Sequence, residues 1–416
     1  MSLRRDNFSE AFLRLSETLS TYQSLWTESA FVEENLSWLP QYPELEQALL
    51  GLSGCELERL QDEESLLQFL HPHIPELGDL IQWQFDHLAP GLWRTPTEAL
   101  FGLPGRKRIQ TEGFVSAVQS LEIAPSRESK WVDWCSGRGY LARQLYFAGG
   151  AEVHCFEIDG ELCRSGSEAH YRISRELGEK VVFHQQDVLS DLPSEILQDG
   201  VLHTALHACG DLHISMLRKA AAAQAPYIAC SPCCYHLISA EAYQPLSQEG
   251  RSSQVRPTSQ ALRLATAETC TANTLERELR HRELLWRTAF DLRLRECNGR
   301  DRYTPTPSVK KSLLKTSFRQ FAEAVLGKLK SREDNLSFFP LSPSEESQLL
   351  QKADAKMWRI RRIEKAQLGF RRALEYWLLL DRALFLEEQG YAVSLQQFCK
   401  KSDSGRNTVI LGRLRS

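Results

Sequence analysis

"KWVDWCSGRGYLARQLYFAG", residues 130–149, begins with a short apolar run, crosses two glycines and continues with apolar residues at three- and four-residue intervals. That pattern reads as a strand, a tight turn and an amphipathic helix. The texture then repeats. "AEVHCFEID" (151–159) and "KVVFHQQDVL" (180–189) are apolar strands ending in acids. "LHTALHACGDL" (202–212) is a fourth strand, followed by the Ala-rich helix "SMLRKAAAAQ" (215–224), and "PYIACSPCCYH" (226–236) is a fifth strand with its loop. Strands alternating with helices at about 25-residue spacing imply a parallel sheet covered by helices on both faces, an α/β fold.

On either side the chain reads as helical. Residues 1–104 form an acidic N-terminal helical domain, with Trp26, Trp38, Trp83 and Trp93 expected in its core. Residues 105–239 and 370–416 form the sheet domain, and 240–369 a basic helical insertion. Near the C-terminus, "LEYWLLLDRALFLEEQG" is an apolar helix with a glycine stop. "YAVSLQQFCK" and "NTVILGRL" are two strands joined by the turn "KSDSGR".

The 416 residues are 42% hydrophobic and 25% charged, which suits a globular chain with a real core. No apolar run reaches the roughly 18 residues that span a bilayer, and "MSLRRDNFSE" lacks a signal-peptide core, so the expectation is a cytoplasmic protein without a membrane partner. The eleven cysteines are then thiols. The net charge of −4 conceals an asymmetry: 5 basic and 17 acidic residues in 1–100, against 17 basic and 8 acidic in 251–330. Arg277, Arg280, Arg282, Arg287, Lys310, Lys311 and Lys315 crowd the second region, which fits a phosphate backbone as readily as a solvated helical face.

Ligands of a doubly wound sheet bind beyond the carboxyl ends of its strands. Strand one is followed by Asp133, Cys135, Ser136, Gly137 and Gly139, where glycine lets the backbone approach a ligand closely. Strand two ends in Glu157, 18 residues past Gly139, a spacing that suits a carboxylate accepting from two ribose hydroxyls. Strand three ends in Asp187, strand four in His207, Cys209 and Asp211, and strand five in Cys233, Cys234, Tyr235 and His236. Position 142 is Ala where the dinucleotide fingerprint has its third glycine, so a nucleoside without phosphates fits better than a dinucleotide.

This ordered set resembles the class I S-adenosylmethionine-dependent methyltransferases. "ALHACGDL", "CCYH" and "LLLDRALFLEEQGYAVSLQQF…SGRNTVIL" narrow the resemblance to the methyltransferase-like twenty-five proteins and to the methyltransferase domain attached to a glutathione-transferase-like module. The tRNA 2′-O-methyltransferases of the acceptor stem are similar at a greater distance. The resemblance implies a Rossmann-like sheet of seven strands, the last antiparallel and inserted as a hairpin, which brings Arg406 and Asn407 near the pocket. It implies S-adenosyl-L-methionine as cofactor, Glu157 on its ribose and Asp187 on the adenine side. Arg138, a cation between the two glycines, is expected to point outward, away from a sulfonium.

The cluster in "YIACSPCCYHLIS" (227–239) has several readings. Zinc needs four converging ligands, and structural sites draw two pairs from separate turns; here there is one cluster with Cys230 in the strand, though His207 and Cys209 could supply a second pair, since strand four should neighbour strand five. A redox pair fits less well, since this C-x-x-C opens no helix. A pocket wall fits best, with no metal expected. There Tyr235 offers a stacking face, His236 or Asp211 a proton acceptor, and Cys233 or Cys234 small packing groups or a nucleophile. The leading function is methyl transfer to RNA, with Lys310, Lys311, Arg406 and Asn407 on the substrate. The alternatives are methylation of a basic protein and a binding module without turnover. Oligomeric state is not legible.

Overall fold

The computed structural model describes residues 7–33, 35–80, 83, 85–87, 93–123, 129–149, 152–267, 274–299, 303–331, 336–338 and 340–415. The amino-terminal six residues, part of the segment read for a signal core, lie outside them. Among the described residues no helix is long and apolar enough to cross a membrane.

The chain divides into two compact units: residues 1–21, 79–271 and 370–416 form the first, and 22–78 and 272–369 the second. The first contains one sheet. Its strands are β1 (Asp86–His87), β2 (Lys130–Trp134), β3 (Glu152–Glu157), β4 (Val181–Gln185), β5 (Gly200–Cys209), β6 (Tyr227–Cys233), β7 (Tyr391–Gln397) and β8 (Thr408–Leu414). Their order is β1-β7-β8-β6-β5-β2-β3-β4. From β4 to β6 every pairing is parallel, and β8 runs antiparallel to both β6 and β7. This is the seven-stranded mixed sheet with surrounding helices that the resemblance implied, its last strands forming a hairpin against β6. The two-residue β1, which pairs parallel with β7, is an addition that no apolar run announces.

The parallel strands are covered on both faces, so their burial is continuous rather than alternating. In β2 the residues Trp131, Val132, Asp133 and Trp134 are all buried. One core joins Trp131, Val153, Val181, Leu202 and Leu411 of the sheet to Phe114 of helix Gly105–Gln119 and to Leu141 and Leu145 of helix Tyr140–Gly149. Helix Arg371–Glu388 is buried over nearly its whole length, charges included. Its Asp381 accepts from the Tyr243 hydroxyl at 2.6 Å and from the backbone N–H groups of Leu246 and Ser247 at 2.9 and 3.0 Å. Arg382 donates to His213 Nε2 at 2.9 Å and to the Tyr243 hydroxyl at 3.1 Å, so each buried ion is hydrogen-bonded.

The units cut across the three regions read from the sequence. Helix Phe8–Thr21 belongs with the sheet, where Phe12 stacks on Trp377 at 5.3 Å and Ser16 accepts from the Trp377 indole at 2.8 Å. The segment 240–267, expected as the start of a helical insertion, also belongs to the first unit. It holds only the short helices Gln248–Ser252 and Ala261–Thr266, because Pro245 and Pro257 interrupt it and Asp381 binds its backbone instead.

The second unit is helical. Trp286 and Phe290 of helix Thr274–Asn298 pack with Phe318, Phe321 and Val325 of helix Phe318–Lys330. Helix Pro343–Gly369 is tied to the acidic segment through Arg362 to the Leu52 carbonyl and Lys365 to the Leu60 carbonyl, both at 2.8 Å. The acidic and basic stretches of the sequence thus share one unit.

Candidate active site

Parallel pairing puts the carboxyl ends of β2 to β6 on one rim. Glu157 stands opposite Gln185 in the β3–β4 register, and Cys209 opposite Cys233 in the β5–β6 register. The turn after β2 is closed by Gly139 N–H donating to the Ser136 carbonyl at 2.9 Å. Gly137 and Gly139 have φ of 58° and 69°, the left-handed region that glycine enters without a Cβ clash. A side chain at Gly137 would meet nothing within 4 Å, so the space above this turn is open. Arg138 is exposed, as its charge suggested.

The two halves of the nucleoside pattern meet here. Gly137 N–H donates to Glu157 Oε2 at 2.9 Å, and Asp159 N–H donates to Oε1 at 3.1 Å. Two backbone donors fix the carboxylate and leave each oxygen a lone pair for another donor. Asp133 is fully buried. One oxygen is 3.4 Å from the Thr204 hydroxyl, and Oδ2 has no hydrogen-bond partner. Burial pushes its carboxyl up to about 8, and the neighbouring Glu157 charge adds to the rise. The Ser136 hydroxyl is also buried, with the Cys155 thiol as its neighbour. Burial, then the charges of Glu157, Asp133 and Asp187, push the Cys135 thiol up to about 12. An acidic rim with an unsatisfied buried acceptor suits a cationic ligand rich in donors.

Asp187 shapes its own loop, accepting from Leu189 N–H at 2.9 Å. The sequence reading missed the apolar neighbours. Ile158, Leu189 and Leu237 are 64%, 53% and 52% exposed, each one or two positions past a charged or polar rim residue. Exposed large apolar side chains beside polar rim groups suit a flat aromatic ligand. The signal was in the sequence, but an apolar residue beside a turn reads as the end of a strand.

The loops after β5 and β6 are stitched together. Gly210 N–H donates to the Cys233 carbonyl and Asp211 N–H to the Leu237 carbonyl, both at 3.0 Å. A Cβ on Gly210 would lie 1.8 Å from the Leu237 oxygen, and its φ is 53°. Gly210 is therefore a site-building residue that the sequence reading passed over. Among the described residues five non-glycines have positive φ, and Cys135, His207 and Cys234 of these lie on the rim. Each such residue stores about 1–3 kcal/mol of strain, which tends to collect at functional sites. His207 sits where the β5–β6 register shifts, between Leu206 and Ala208.

Other sequence candidates take different places. Tyr235 is buried, its ring edge-on to His213 at 5.9 Å and beneath the Arg382 guanidinium at 5.0 Å, so it presents no stacking face. Burial raises its hydroxyl far above the usual tyrosine range. Asp211 accepts from Ser239 N–H at 2.7 Å and so holds the loop after β6. Asn407 is buried and donates to the Cys399 carbonyl at 2.7 Å, closing the β7–β8 turn. Lys310 and Lys311 lie in the second unit, exposed, with Lys311 3.7 Å from Glu276. His236 is half-buried, with an unpartnered Nδ1. Burial, then the charge of Arg263, lowers its imidazolium below the usual histidine range, which leaves a neutral proton acceptor.

The sulfurs of Cys209, Cys233 and Cys234 come within 4.8 Å of one another, and those of Cys233 and Cys234 are 3.4 Å apart. Cys233 is drawn strongly toward thiolate, first by the Cys209 thiol, then by His207 and Arg406. The Cys209 thiol rises correspondingly.

A sequence family described as a methyltransferase domain matches residues 106–241, from the helix before β2 through the loop after β6. The match covers about a third of the chain. Among solved structures, the chain is similar to a sarcosine dimethylglycine methyltransferase from Galdieria sulphuraria at 17% identity, with a TM-score of 0.26, over 29% of this chain and 44% of that one. The chain thus spans under half the length of that protein. It is also similar to an O-methyltransferase family protein from Burkholderia thailandensis at 10% identity, with a TM-score of 0.27, over 85% of this chain and 72% of that one. No curated protein matches the chain. The matched residues contain the β2 to β6 part of the rim, while Arg406 and the β7–β8 hairpin lie beyond them.

Proposed function

We propose that the chain is an S-adenosylmethionine-dependent methyltransferase acting on RNA, of the type marked by "ALHACGDL" and "CCYH". The hydrogen bond from Gly137 N–H to Glu157 carries the cofactor assignment, because it joins the open glycine turn to the carboxylate that would accept from the ribose hydroxyls. Asp133 Oδ2, buried without a hydrogen-bond partner, and the buried Ser136 hydroxyl would receive the ammonium of the aminoacyl end. Ile158 and Leu189 would cover the adenine faces beside Asp187.

S-adenosylmethionine supplies a methyl carbon already activated by its sulfonium. The protein then has to align the acceptor and exclude water. The loops stitched at Gly210 hold His236 next to this rim, and its neutral imidazole would take the acceptor's proton where one must be lost.

The RNA assignment rests on the second unit. Arg277, Arg280, Arg282, Lys310 and Lys315 are exposed, and Arg282 donates to the Leu314 carbonyl at 2.9 Å, linking the helix to the 311–315 turn. A cluster of exposed cations on two adjoining elements fits a phosphate backbone. Thiols in all ten described cysteines suit a reducing compartment, and we assign the activity to the cytoplasm. Labelling a cell extract with tritiated S-adenosylmethionine tests the reading. RNase should release the label, whereas label released only by protease would replace RNA with a protein acceptor.

A further inference from the structure

Three thiols gather at the carboxyl ends of β5 and β6. Pairing puts Cys209 opposite Cys233, and the strained backbone at Cys234, φ 44°, turns the next thiol back toward both. The result is three sulfurs within 4.8 Å of one another. In a tetrahedral zinc centre with Zn–S bonds of about 2.3 Å, neighbouring sulfurs lie about 3.8 Å apart. The observed separations reach that geometry with small rotamer shifts.

Two neighbours fit the same reading. Gln110 donates through Nε2 to the Asp403 carbonyl at 2.8 Å, which leaves its Oε1 facing His207 Nε2 at 3.3 Å. His207 must then carry its proton on Nε2. Its Nδ1 is buried and turns its lone pair toward the Cys233 sulfur, the group against which the ring stands. An imidazole held by a second-shell amide in this way is the usual condition of a histidine metal ligand. On the other side, the Arg406 guanidinium lies beside the Cys233 sulfur. Three thiolates on a divalent ion leave one net negative charge, which this guanidinium offsets.

We propose that Cys209, Cys233 and Cys234 bind a zinc ion through three thiolates, with His207 Nδ1 as the fourth donor and Arg406 balancing the charge. Binding is not a redox event: each thiol that enters as a thiolate releases its proton to solvent, and zinc stays divalent. A disulfide would use two of the sulfurs and leave the third thiol, the imidazole nitrogen and the guanidinium without a role. The sequence offered these residues as one zinc reading among several, and the strand register is what brings their sulfurs together. Zinc binding does not depend on methyl transfer, so it stands or falls separately from the function proposed above.

The test uses the whole chain, stripped of metal under reducing conditions and titrated with zinc against a chromogenic chelator. One zinc per chain is expected, with at least a hundredfold weaker binding in Cys233→Ser and no change in Cys55→Ser, the exposed cysteine. Cobalt in place of zinc should give thiolate-to-metal charge transfer, and His207→Ala should shift the cobalt d–d bands. If Cys233→Ser does not fold, alkylation of the wild-type protein decides: zinc should protect Cys234 and leave Cys55 reactive. Equal zinc binding by wild type and Cys233→Ser, cobalt without thiolate charge transfer, or Cys234 alkylated at saturating zinc would each overturn the proposal.

Discussion

Asp133 carries the sharpest consequence at the scale of a single residue. Burial pushes its carboxyl up to about 8, while in the unfolded chain it titrates near 4. Between those values the folded chain holds a proton that the unfolded chain has lost. Stability therefore falls as pH rises through this window, by up to ~1.4 kcal/mol per pH unit. Asp133→Asn should keep the Thr204 contact, flatten that slope and raise the urea midpoint at pH 7.5, while weakening S-adenosylmethionine binding. Denaturation at pH 5.5, 6.5 and 7.5 checks this, and a slope equal to wild type would count against it. Asn407 offers a contrast. Its amide bonds the Cys399 carbonyl, so Asn407→Ala should cost about 1 kcal/mol of stability and leave turnover per folded molecule unchanged. A turnover loss without a stability loss would return Asn407 to the substrate.

At the scale of elements, the loops after β5 and β6 act as one piece. Gly210→Ala puts a methyl group 1.8 Å from the Leu237 carbonyl on a backbone with φ 53°. A loss on the order of 3 kcal/mol is expected from chemical denaturation, with methyl transfer falling alongside it. The elements also show what was legible in sequence. The strand, glycine turn and helix of residues 130–149 is a local pattern, and Glu157 follows it one crossover later, so both were readable from spacing. Cys209, Cys233 and Cys234 meet through strand register, and Gly210 is demanded by a carbonyl 27 positions away. No single-sequence periodicity carries either fact. Tyr235 read as a stacking face because a tyrosine after a strand end usually meets solvent. Here Arg382 and His213, from two helices, cover it.

At the scale of the molecule, long-range contacts decided what the sequence left open. Helix Phe8–Thr21 looked like part of an acidic helical domain but packs with Trp377, and the remaining acidic segment shares a unit with the basic helices. Opposite charge is therefore spread within the second unit, and the exposed cations Arg280, Lys310 and Lys315 are among those open to a polyanion. Replacing those three with glutamine should flatten the salt dependence of RNA binding by roughly 0.7 per lost phosphate contact, measured as the slope of log affinity against log salt. An unchanged slope would detach RNA from this surface. The claim on which the rest depends is that the rim built by Gly137 and Glu157 holds an adenosyl donor. Calorimetry with S-adenosylhomocysteine tests it most directly. One ligand per wild-type chain and at least tenfold weaker binding to a folded Glu157→Ala variant are expected, and no heat from the natively folded wild-type chain, or equal affinity in the variant, would contradict it.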